Sequence, residues 1–423
     1  MPPRSLNEIS RRAFLAGVAA VPLAGRFDGE ALMASSAPRI AVIGAGAFGG
    51  WTALHLRRLG AQVVLVDSWG PGNTRSSSGG DSRVIRAIYG QDRVYVEMVK
   101  RAYELWKMME APYTDRLYVE TGALWMHRGD DAYVRSSLPI MKDLGFPVDP
   151  LTMAEARRRY PQINFNGIQS VWMERRAGAL SARRACAVVR DAFEKAGGTY
   201  RRASVQPGPV INESMSGLKL EDGSRIEADV YVFACGPWLG KLFPDVIGDR
   251  VRPTRQEVYY FGTPPGSERY TPGRFPVWID FGDRIFYGIP DVHGRGFKIA
   301  DDTRGELFDP TGGDRTPSGE GLARARAILT ERFPELAGAP LLSSEVCQYE
   351  NSPDGHLIID RHPQARNVWM LGGGSGHGFK LSPAVGEMAS AAILSDKPVP
   401  KLFGLERLRD IGKPSTQFET KGT

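Results

Sequence analysis

The stretch "RIAVIGAGAFGG", residues 39–50, decides the fold of this chain. Its first five residues form a short apolar strand, and a helical run that ends at Leu59 follows. Three glycines in the spacing G-x-G-x-x-G separate the two: Gly44, Gly46 and Gly49. A second strand, "QVVLVD" (62–67), ends in Asp67, roughly 20 residues after the first glycine. Strand, glycine turn, helix, strand and acid together predict a Rossmann-type α/β unit.

This unit predicts a dinucleotide site. The glycines allow a tight turn and a close approach of the backbone to a pyrophosphate, whose charge the helix N-terminus stabilises. Asp67 can accept a hydrogen bond from a ribose hydroxyl. A lone glycine motif is a weak signal, whereas the motif in its strand–helix–strand context is specific.

Two later segments favour FAD among the dinucleotides. In "DVYVFACGPWLG" (229–240), a strand runs directly into Gly236 and Trp238. In "NVWMLGGGSGHGFKLSPAVGEM" (367–388), a strand ends in a glycine run and a helix is predicted to begin near Ser382. Such a helix N-terminus can stabilise negative charge on a reduced flavin. Either segment alone is equally typical of an ordinary turn. The candidate cofactor residues of this second segment are Gly376, Gly378 and Lys380.

Length and charge limit the class of protein. A chain of 423 residues predicts two domains, because a single core rarely grows that large. The net charge is +6, but the basic residues occur in scattered short clusters such as 157–159 and 183–184. No nucleic-acid-binding motif accompanies them, so no nucleic acid is predicted as a partner. No spacing of metal ligands is found, so no metal is predicted.

The N-terminus is predicted to be a processing segment. Arg11 and Arg12 directly precede a short apolar run, 13–25, which is too short to span a bilayer. Paired arginines before such a run indicate a twin-arginine export signal, with that export machinery as a partner and a periplasmic or secreted location. The alternative is a disordered tail with a chance Arg-Arg pair. We therefore leave residues 1–37 out of the fold prediction and expect no stable membrane span.

The chain has three cysteines: Cys186, Cys235 and Cys347. An odd number in an oxidising compartment, with no spacing that suggests a disulfide, means that the thiols are either buried or used.

Several motifs in order along the chain resemble one enzyme family. They are "GGDSRVIRAIYG" (79–90), "ETGALWM" (120–126), "FYGIPDVHGRGFK" (286–298), "EVCQY" with "DGHLIID" (345–360) and "SGHGFK" (375–380). The sequence resembles the monomeric sarcosine oxidase and N-methyltryptophan oxidase group of the FAD-dependent D-amino-acid-oxidase superfamily. The resemblance covers almost all of the chain after the first 37 residues, and it does not fix the substrate.

The resemblance implies a role for Cys347. The family's cysteine at this position forms a thioether to the flavin 8-methyl group, so FAD is expected to be covalently bound. Thiolate addition needs positive charge nearby, which Lys380 and the helix near Ser382 can supply. The alternative is a buried, inert thiol, which is our interpretation of Cys186 and Cys235.

The resemblance also implies roles for the remaining site residues. Arg86 and Lys380 resemble the pair that binds the substrate carboxylate, which suits an arginine fork and a lysine. Arg83, one helical turn before Arg86, resembles the arginine against the flavin face. Lys298 resembles the lysine that holds a water near flavin N5 and speeds the reaction with O2. Three further residues resemble pocket-lining and flavin-contacting groups: Tyr287, Tyr349 and His377.

Two positions differ from the sarcosine oxidase pattern. Gly79 and Asp302 stand where those enzymes have histidines, which places sarcosine itself in doubt. We expect Asp302 to face the substrate and to stay ionised beside the cations, and Gly79 to leave room for a larger group. The predicted substrate is then a bulkier, polar or basic N-substituted amino acid. The alternative is that Asp301 and Asp302 both lie in a solvated turn.

The overall prediction is an α/β flavoenzyme with a Rossmann-type FAD-binding domain and a second, substrate domain of antiparallel sheet plus helices. The predicted ranges are 1–37 for the export signal and linker, 38–90, 161–250 and 345–400 for the FAD domain, 91–160 and 251–344 for the substrate domain, and 401–423 for a C-terminal tail.

The predicted reaction is oxidation of the C–N bond of a secondary or N-substituted amino acid. Hydride passes to flavin N5, the imine hydrolyses, and O2 is reduced to H2O2. Two alternatives stay open. One is a dehydrogenase that passes electrons to a quinone or another carrier, against which Lys298 argues. The other is a non-catalytic flavin-binding protein, against which the set of Arg86, Lys380 and Lys298 argues.

Overall fold

The glycine fingerprint joins a buried strand to a helix, as predicted. The computed structural model describes residues 37–114 and 116–409. Strand β1 (Arg39–Ile43) leads through the glycine turn into helix α1 (Ala47–Arg58), and β2 (Gln62–Asp67) follows. Strands β1 and β2 pair in parallel, which is the Rossmann arrangement.

The remaining helices and strands of the described residues follow in chain order. They are β3 (Ser82–Ile85), α2 (Arg93–Glu110), β4 (Tyr118–Glu120), β5 (Ala123–His127), α3 (Ala132–Leu144), β6 (Val148–Leu151), α4 (Met153–Arg159), β7 (Ser170–Glu174), β8 (Gly178–Ser181), α5 (Ala182–Lys195), β9 (Thr199–Arg202), β10 (Val205–Pro207), β11 (Val210–Ile211), β12 (Ser214–Met215), β13 (Leu218–Leu220), β14 (Arg225–Ile226), β15 (Val230–Phe233), α6 (Leu239–Leu242), β16 (Arg252–Phe261), β17 (Val277–Phe281), β18 (Ile285–Ile289), β19 (Phe297–Asp301), α7 (Gly319–Arg332), β20 (Leu341–Asn351), β21 (Ile358–His362), β22 (Ala365–Gly372) and α8 (Ser382–Ser395). Short 3-10 helices occupy Gly236–Trp238, Gly248–Arg250, Pro334–Leu336, Phe379–Leu381, Lys401–Phe403 and Leu405–Arg409.

A six-stranded sheet forms the dinucleotide half, in the order β21-β22-β15-β1-β2-β9. All its pairs are parallel except that of β21 with β22. Strands from both ends of the chain thus lie side by side. Helix α8 packs on α1 closely enough that a side chain at Gly386 would come within 2.7 Å of the Trp51 backbone.

An eight-stranded sheet forms the other half, in the order β20-β16-β19-β18-β17-β5-β7-β6. It is antiparallel apart from the parallel pair β17 and β5. Helix α7 packs on it through Ile328 and Leu329, which are fully buried with Phe297 and Trp278. The predicted α/β fold class, a Rossmann-type domain plus an antiparallel sheet with helices, is confirmed.

The chain crosses between the two sheets several times. Strand β7 falls within the predicted FAD-domain range 161–250, and most of β20 falls within 345–400, yet both strands pair in the eight-stranded sheet. The predicted C-terminal tail begins with ordered structure, because Phe403 and Leu408 are buried. Residues 410–423, and the export signal at 1–36, lie outside the described residues.

A small three-stranded sheet, β3-β8-β4, positions the arginines that the sequence singled out. Arg83 lies on β3, and Arg86 follows the end of this strand. The predicted spacing of one helical turn between them is therefore wrong. Residues 82–85 are extended and not helical, because β3 pairs in antiparallel register with the neighbouring strand β8.

Candidate active site

A cavity lies along the carboxyl ends of β1, β2 and β15. Open α/β sheets bind their ligands at this edge. Its walls contain most of the predicted cofactor residues: Gly44, Gly46, Asp67, Arg83, Gly236, Trp238, Gly376 and Gly378. Among the other predicted cofactor residues, Gly49, Cys347 and Lys380 do not line it.

Two of the fingerprint glycines are required by close packing. Gly44 has φ +102°, and a Cβ there would lie 2.3 Å from the Ala234 carbonyl oxygen. A Cβ on Gly49 would lie 1.8 Å from the Gly44 carbonyl oxygen. Gly49 therefore acts indirectly, by letting α1 approach the turn. Helix α1 has no capping side chain and no acid in its first turn, so its positive end remains available to a phosphate.

Asp67 is held in place by three backbone N–H groups. Ala45 N donates to Oδ2 at 2.7 Å, while Trp69 N and Gly70 N donate to Oδ1 at 2.8 and 2.6 Å. Burial raises the pKa of Asp67, although these hydrogen bonds oppose the shift. A carboxylate has about four acceptor positions, so Asp67 can still accept a ribose hydroxyl. The glycine turn, the helix end and Asp67 together fit a bound dinucleotide.

A second cavity adjoins the first and contains all of the predicted catalytic residues except Lys298. They are Arg83, Arg86, Tyr287, Asp302, Tyr349, His377 and Lys380. The two cavities share Arg83, Tyr349, Gly376 and Phe379 as walls. A ligand in the second cavity therefore lies next to one end of the dinucleotide cavity.

Three arginines and one lysine line this second cavity: Arg83, Arg86, Arg304 and Lys380. The Arg86 guanidinium lies over the rings of Tyr89 and Trp125, with its central carbon 4.7 and 5.4 Å from the two centroids. Lys380 Nζ donates to the His377 carbonyl oxygen at 2.9 Å. Burial, reinforced by the charge of Arg86, lowers the pKa of Lys380 well below its usual value. A bound anion would reverse that shift.

His377 is a buried, neutral imidazole. Its Nδ1 lies 3.1 Å from the Tyr89 hydroxyl, and its Nε2 lies 2.9 Å from the Gly355 carbonyl oxygen. Because a carbonyl can only accept, Nε2 carries the proton and Tyr89 donates to Nδ1. Burial, with the charge of Lys380, lowers the pKa of His377 well below its usual value.

Asp302 lies inside the substrate cavity, so the alternative of a solvated turn is wrong for this residue. The Tyr349 hydroxyl donates to its Oδ1 at 2.6 Å. The expected ionised form still predominates at neutral pH, but the net shift of the pKa has the opposite direction to the expected one. Burial outweighs Tyr349 and Arg86 and raises the pKa of Asp302 to about 6. Asp301, by contrast, points outward and pairs with Arg284 at 2.6 Å.

Gly79 does not leave room for a substrate. It lies outside the walls of the substrate cavity. A Cβ there would lie 2.0 Å from the Asn73 carbonyl oxygen, because the backbone of 73–79 folds back on itself. The prediction that Gly79 enlarges the pocket is therefore wrong.

Lys298 lies next to β3 and lines neither the cofactor cavity nor the substrate cavity. Its side chain, 1% exposed, donates to the Ser82 carbonyl oxygen at 2.9 Å. Burial and the charge of Arg83 lower the pKa of Lys298 to about 7. The ammonium is thus about half charged near neutral pH.

Cys347 lies on β20, outside the walls of the cofactor and substrate cavities. Its Sγ accepts a hydrogen bond from Arg83 Nη2 at 3.2 Å. It lines a third, smaller cavity together with Arg83, Tyr287 and Tyr349. All three cysteines are free; Cys186 and Cys347 are buried, and Cys235 is partly exposed.

Sequence reasoning missed three residues of the site. Glu174 accepts hydrogen bonds from the Ala87 backbone and from Trp125 Nε1, and so holds the turn that carries Arg86. Arg304 lines the substrate cavity beside Asp302. Glu350 lines the cofactor cavity. Only Glu350 had a sequence signal, as an acid within the "EVCQYEN" strand.

No metal site or membrane-crossing helix was found in the part of the chain that the structure describes. No group of three or more histidine, cysteine or acidic side chains there could hold a metal ion. None of the described helices is both long enough and apolar enough to cross a membrane.

A dinucleotide cavity that adjoins a cation-lined pocket defines the class of an FAD-dependent oxidoreductase. The chain belongs to the family described as "DAO: FAD dependent oxidoreductase", whose model matches residues 39–392. It is 32% identical over 368 residues to the monomeric sarcosine oxidase of Arthrobacter sp. (strain TE1826), covering 85% of this chain and 92% of that protein.

Two further similarities agree with this family. The chain is 28% identical over 378 residues to the N-methyl-L-tryptophan oxidase of Yersinia pestis (strain Pestoides F), covering 87% of this chain and 98% of that protein. The structure is similar in fold to L-proline dehydrogenase from P. horikoshii, with a TM-score of 0.77 and 23% identity over 88% of this chain and 97% of that one.

Proposed function

We propose that this protein oxidises the C–N bond of a secondary or N-substituted amino acid. The FAD supplies the hydride acceptor, the imine product hydrolyses in water, and O2 is the final electron acceptor and yields H2O2. The observation that carries the proposal is the cavity containing Arg86 and Lys380, which shares walls with the dinucleotide cavity. The sarcosine and N-methyltryptophan oxidases among the relatives support it.

The pocket residues bind and orient the amino acid. Arg86, fixed over two aromatic rings, provides a planar fork for the substrate carboxylate. Lys380 lies beside it, and binding of the carboxylate would return this lysine to its charged form. The carboxylate would then hold the α-carbon toward the end of the pocket that the two cavities share.

We propose that Asp302 selects the substrate by the chemical group that it carries beyond its amine. It is held by Tyr349 and lies next to Arg304. Ionised above pH 6, it would attract a cationic or hydroxyl group on the substrate. This favours a polar or basic N-substituted amino acid over sarcosine.

Lys298 is proposed to promote the reaction with O2, because a positive charge near Arg83 stabilises developing negative charge on reduced oxygen. The alternative is a dehydrogenase that passes electrons to a quinone or another carrier. A buried lysine with a pKa of about 7 favours the oxidase.

Cys347 is proposed to hold the FAD covalently, through a thioether to the flavin 8-methyl group. The C–S bond would replace a methyl C–H and the thiol S–H bond, the electron pair would pass to the flavin, and O2 would take it up as H2O2. The hydrogen bond from Arg83 to its Sγ supports this role, because Arg83 lines the cofactor cavity and so places the sulfur beside the wall of that cavity. We expect yellow colour to remain with wild-type polypeptide after acid precipitation. Cys347→Ser should release the flavin to the supernatant, whereas Cys186→Ser should not. Release of all colour from the wild type would rule out the tether.

The function is tested by a panel of secondary and N-methyl amino acids. Flavin bleaching is followed without oxygen, and peroxide formation with oxygen. We expect both with at least one substrate, and Arg86→Gln to raise the KM by at least tenfold. Bleaching without rapid peroxide would favour the dehydrogenase. No bleaching with any amine would favour a flavin-binding protein without catalysis.

Export by the twin-arginine route is a separate proposal. It rests on Arg11 and Arg12 before the apolar run 13–25. Cell fractionation of the full chain and of an Arg11→Lys/Arg12→Lys variant tests it. Equal distribution of the two proteins between cytoplasm and periplasm would contradict it.

A further inference from the structure

Glu350 is a buried acid that has an unused oxygen in the cofactor cavity. Its side chain is 7% exposed. Oε1 accepts a hydrogen bond from Gly374 N at 3.1 Å. Oε2 is completely buried and has no hydrogen-bond partner among the described residues. A buried carboxyl oxygen without a partner costs free energy, so it indicates a missing ligand atom.

The surroundings of Glu350 are built to admit its carboxyl group. Glu350 lies near the end of β20, and its carboxyl group lies close to the glycines that follow β15 and β22. A Cβ on Gly236 would lie 3.2 Å from Oε2, and one on Gly374 would lie 2.8 Å from Oε1. Glycine at both positions leaves space for the carboxyl group and for whatever it binds. Gly44 and Asp67 line the same cavity.

No positive side chain compensates a charge on Glu350. It forms no ion pair with any described residue. Two influences act on its pKa: burial, which raises it, and the hydrogen bond from the Gly374 backbone, which lowers it. Burial raises the pKa of Glu350 to about 7. The titratable groups that share the cavity walls are Asp67 on β2, Cys235 after β15, Arg83 on β3, Lys241 on α6 and Tyr349 on β20.

We propose that Glu350 binds FAD as a neutral carboxylic acid, donating a hydrogen bond from Oε2 to an oxygen of the chain that links the two ring systems. That chain carries two negatively charged phosphates, and an ionised carboxylate within hydrogen-bonding distance of the chain would repel them. A neutral carboxylic acid has one O–H donor, which can bond to a phosphate or ribityl oxygen as acceptor. The inference rests on the FAD of the family and is independent of the substrate.

The inference predicts pH-dependent cofactor binding. Because FAD binds the protonated form, affinity should be constant below pH 7. Above pH 7 it should fall by about tenfold per pH unit. A tethered flavin cannot dissociate, so FAD titrations monitored by flavin fluorescence use full-length Cys347→Ser protein stripped of flavin, between pH 5.5 and 8.5. No amine is present, so the result does not depend on the proposed reaction.

Two substitutions in that background decide the matter. Glu350→Gln keeps the shape and a donor, so it should bind FAD at pH 8.5 at least as tightly as the parent and lose the pH dependence. Glu350→Ala should weaken binding at pH 6 by roughly tenfold. Glu257→Gln is the matched control: a partly buried glutamate, paired with Arg255, that does not line the cofactor cavity. Its affinity and pH dependence should equal those of the parent.

Two results would overturn the inference. One is a pH dependence that persists unchanged in Glu350→Gln, which would assign the proton to another group. The other is equal affinity of Glu350→Gln, Glu350→Ala and the parent at every pH. If Glu350→Ala does not fold, the isosteric Glu350→Gln still gives either answer through its pH profile.

Discussion

Asp302 changes its charge within the pH range in which an oxidase can be assayed. Its pKa is raised to about 6 because the cavity removes it from water more effectively than Tyr349 and Arg86 stabilise its ionised form. A carboxylate with a raised pKa is neutral below that value and ionised above it. The pocket therefore carries one more negative charge at pH 8 than at pH 5.

This charge predicts a pH-dependent specificity. The ratio of kcat/KM for a basic N-substituted amino acid to that for a neutral one of similar size should rise severalfold as the pH rises through 6. Asp302→Asn keeps an acceptor for Tyr349 and should abolish the rise. Asp396→Asn, which removes an exposed charge paired with Arg361 and away from the cavities, is the control. An unchanged ratio in Asp302→Asn would mean that the residue does not contact the substrate.

Lys298 offers a second test at this scale. Lys298→Met removes the charge and keeps the length of the side chain. We expect reoxidation by O2 to slow by two orders of magnitude or more, of the size seen when a preorganised charge is lost, and anaerobic reduction to change little. In the wild type, reoxidation should slow as the pH rises above about 7, because Lys298 loses its proton there. Equal loss in both half-reactions would indicate a structural lysine.

At the scale of elements, the unit of β1, its glycine turn and α1 sets the cofactor site. Gly49 does not line the cavity, but no side chain fits between α1 and the Gly44 carbonyl. The unit therefore binds phosphate only while this helix–turn contact stays intact.

Gly49→Ala should consequently reduce the flavin content of the purified protein severalfold or more and lower its melting temperature. The Cβ would lie 1.8 Å from the Gly44 oxygen and force α1 away from the turn. Gly319→Ala is the control, because a Cβ at the start of α7 meets no atom within 4 Å. Full flavin content in Gly49→Ala would show that the turn tolerates displacement of the helix.

At the scale of the whole molecule, the C-terminal segment is connected to the substrate pocket. Arg407 Nε donates to Asp354 Oδ2 at 2.7 Å, and its Nη2 donates to the His356 carbonyl oxygen at 3.0 Å. The same loop holds Gly355, whose carbonyl oxygen accepts a hydrogen bond from His377 Nε2. Residues near the end of the chain thus fix a histidine beside Lys380.

Arg407→Ala should release this loop. We expect a loss of stability on the order of 1–3 kcal/mol and a larger rise in KM than fall in kcat. Arg407→Lys should recover part of both, since one charge-assisted hydrogen bond to Asp354 can re-form. Arg409→Ala, at an exposed neighbouring position, is the control for both measurements. A fall in stability with unchanged KM would show that the segment only stabilises the fold.

The sequence by itself determined the elements and the cofactor class. The bounds of β1, α1 and β2 follow from apolar periodicity and glycine spacing, because these depend on backbone conformation over neighbouring residues. The FAD-dependent family followed from motifs in order along the chain.

Only the tertiary structure decided the charge states and the walls of the pocket. Asp302 and Tyr349 are 47 residues apart in sequence, and their contact, with the burial around it, moves the pKa of the acid in the direction opposite to our expectation. The backbone at Asn73 fills the space that Gly79 was expected to leave. Glu350 gains its unpaired oxygen only where β20 meets the ends of β15 and β22. Desolvation and free space arise from distant segments packed together, and no local pattern of residues records them.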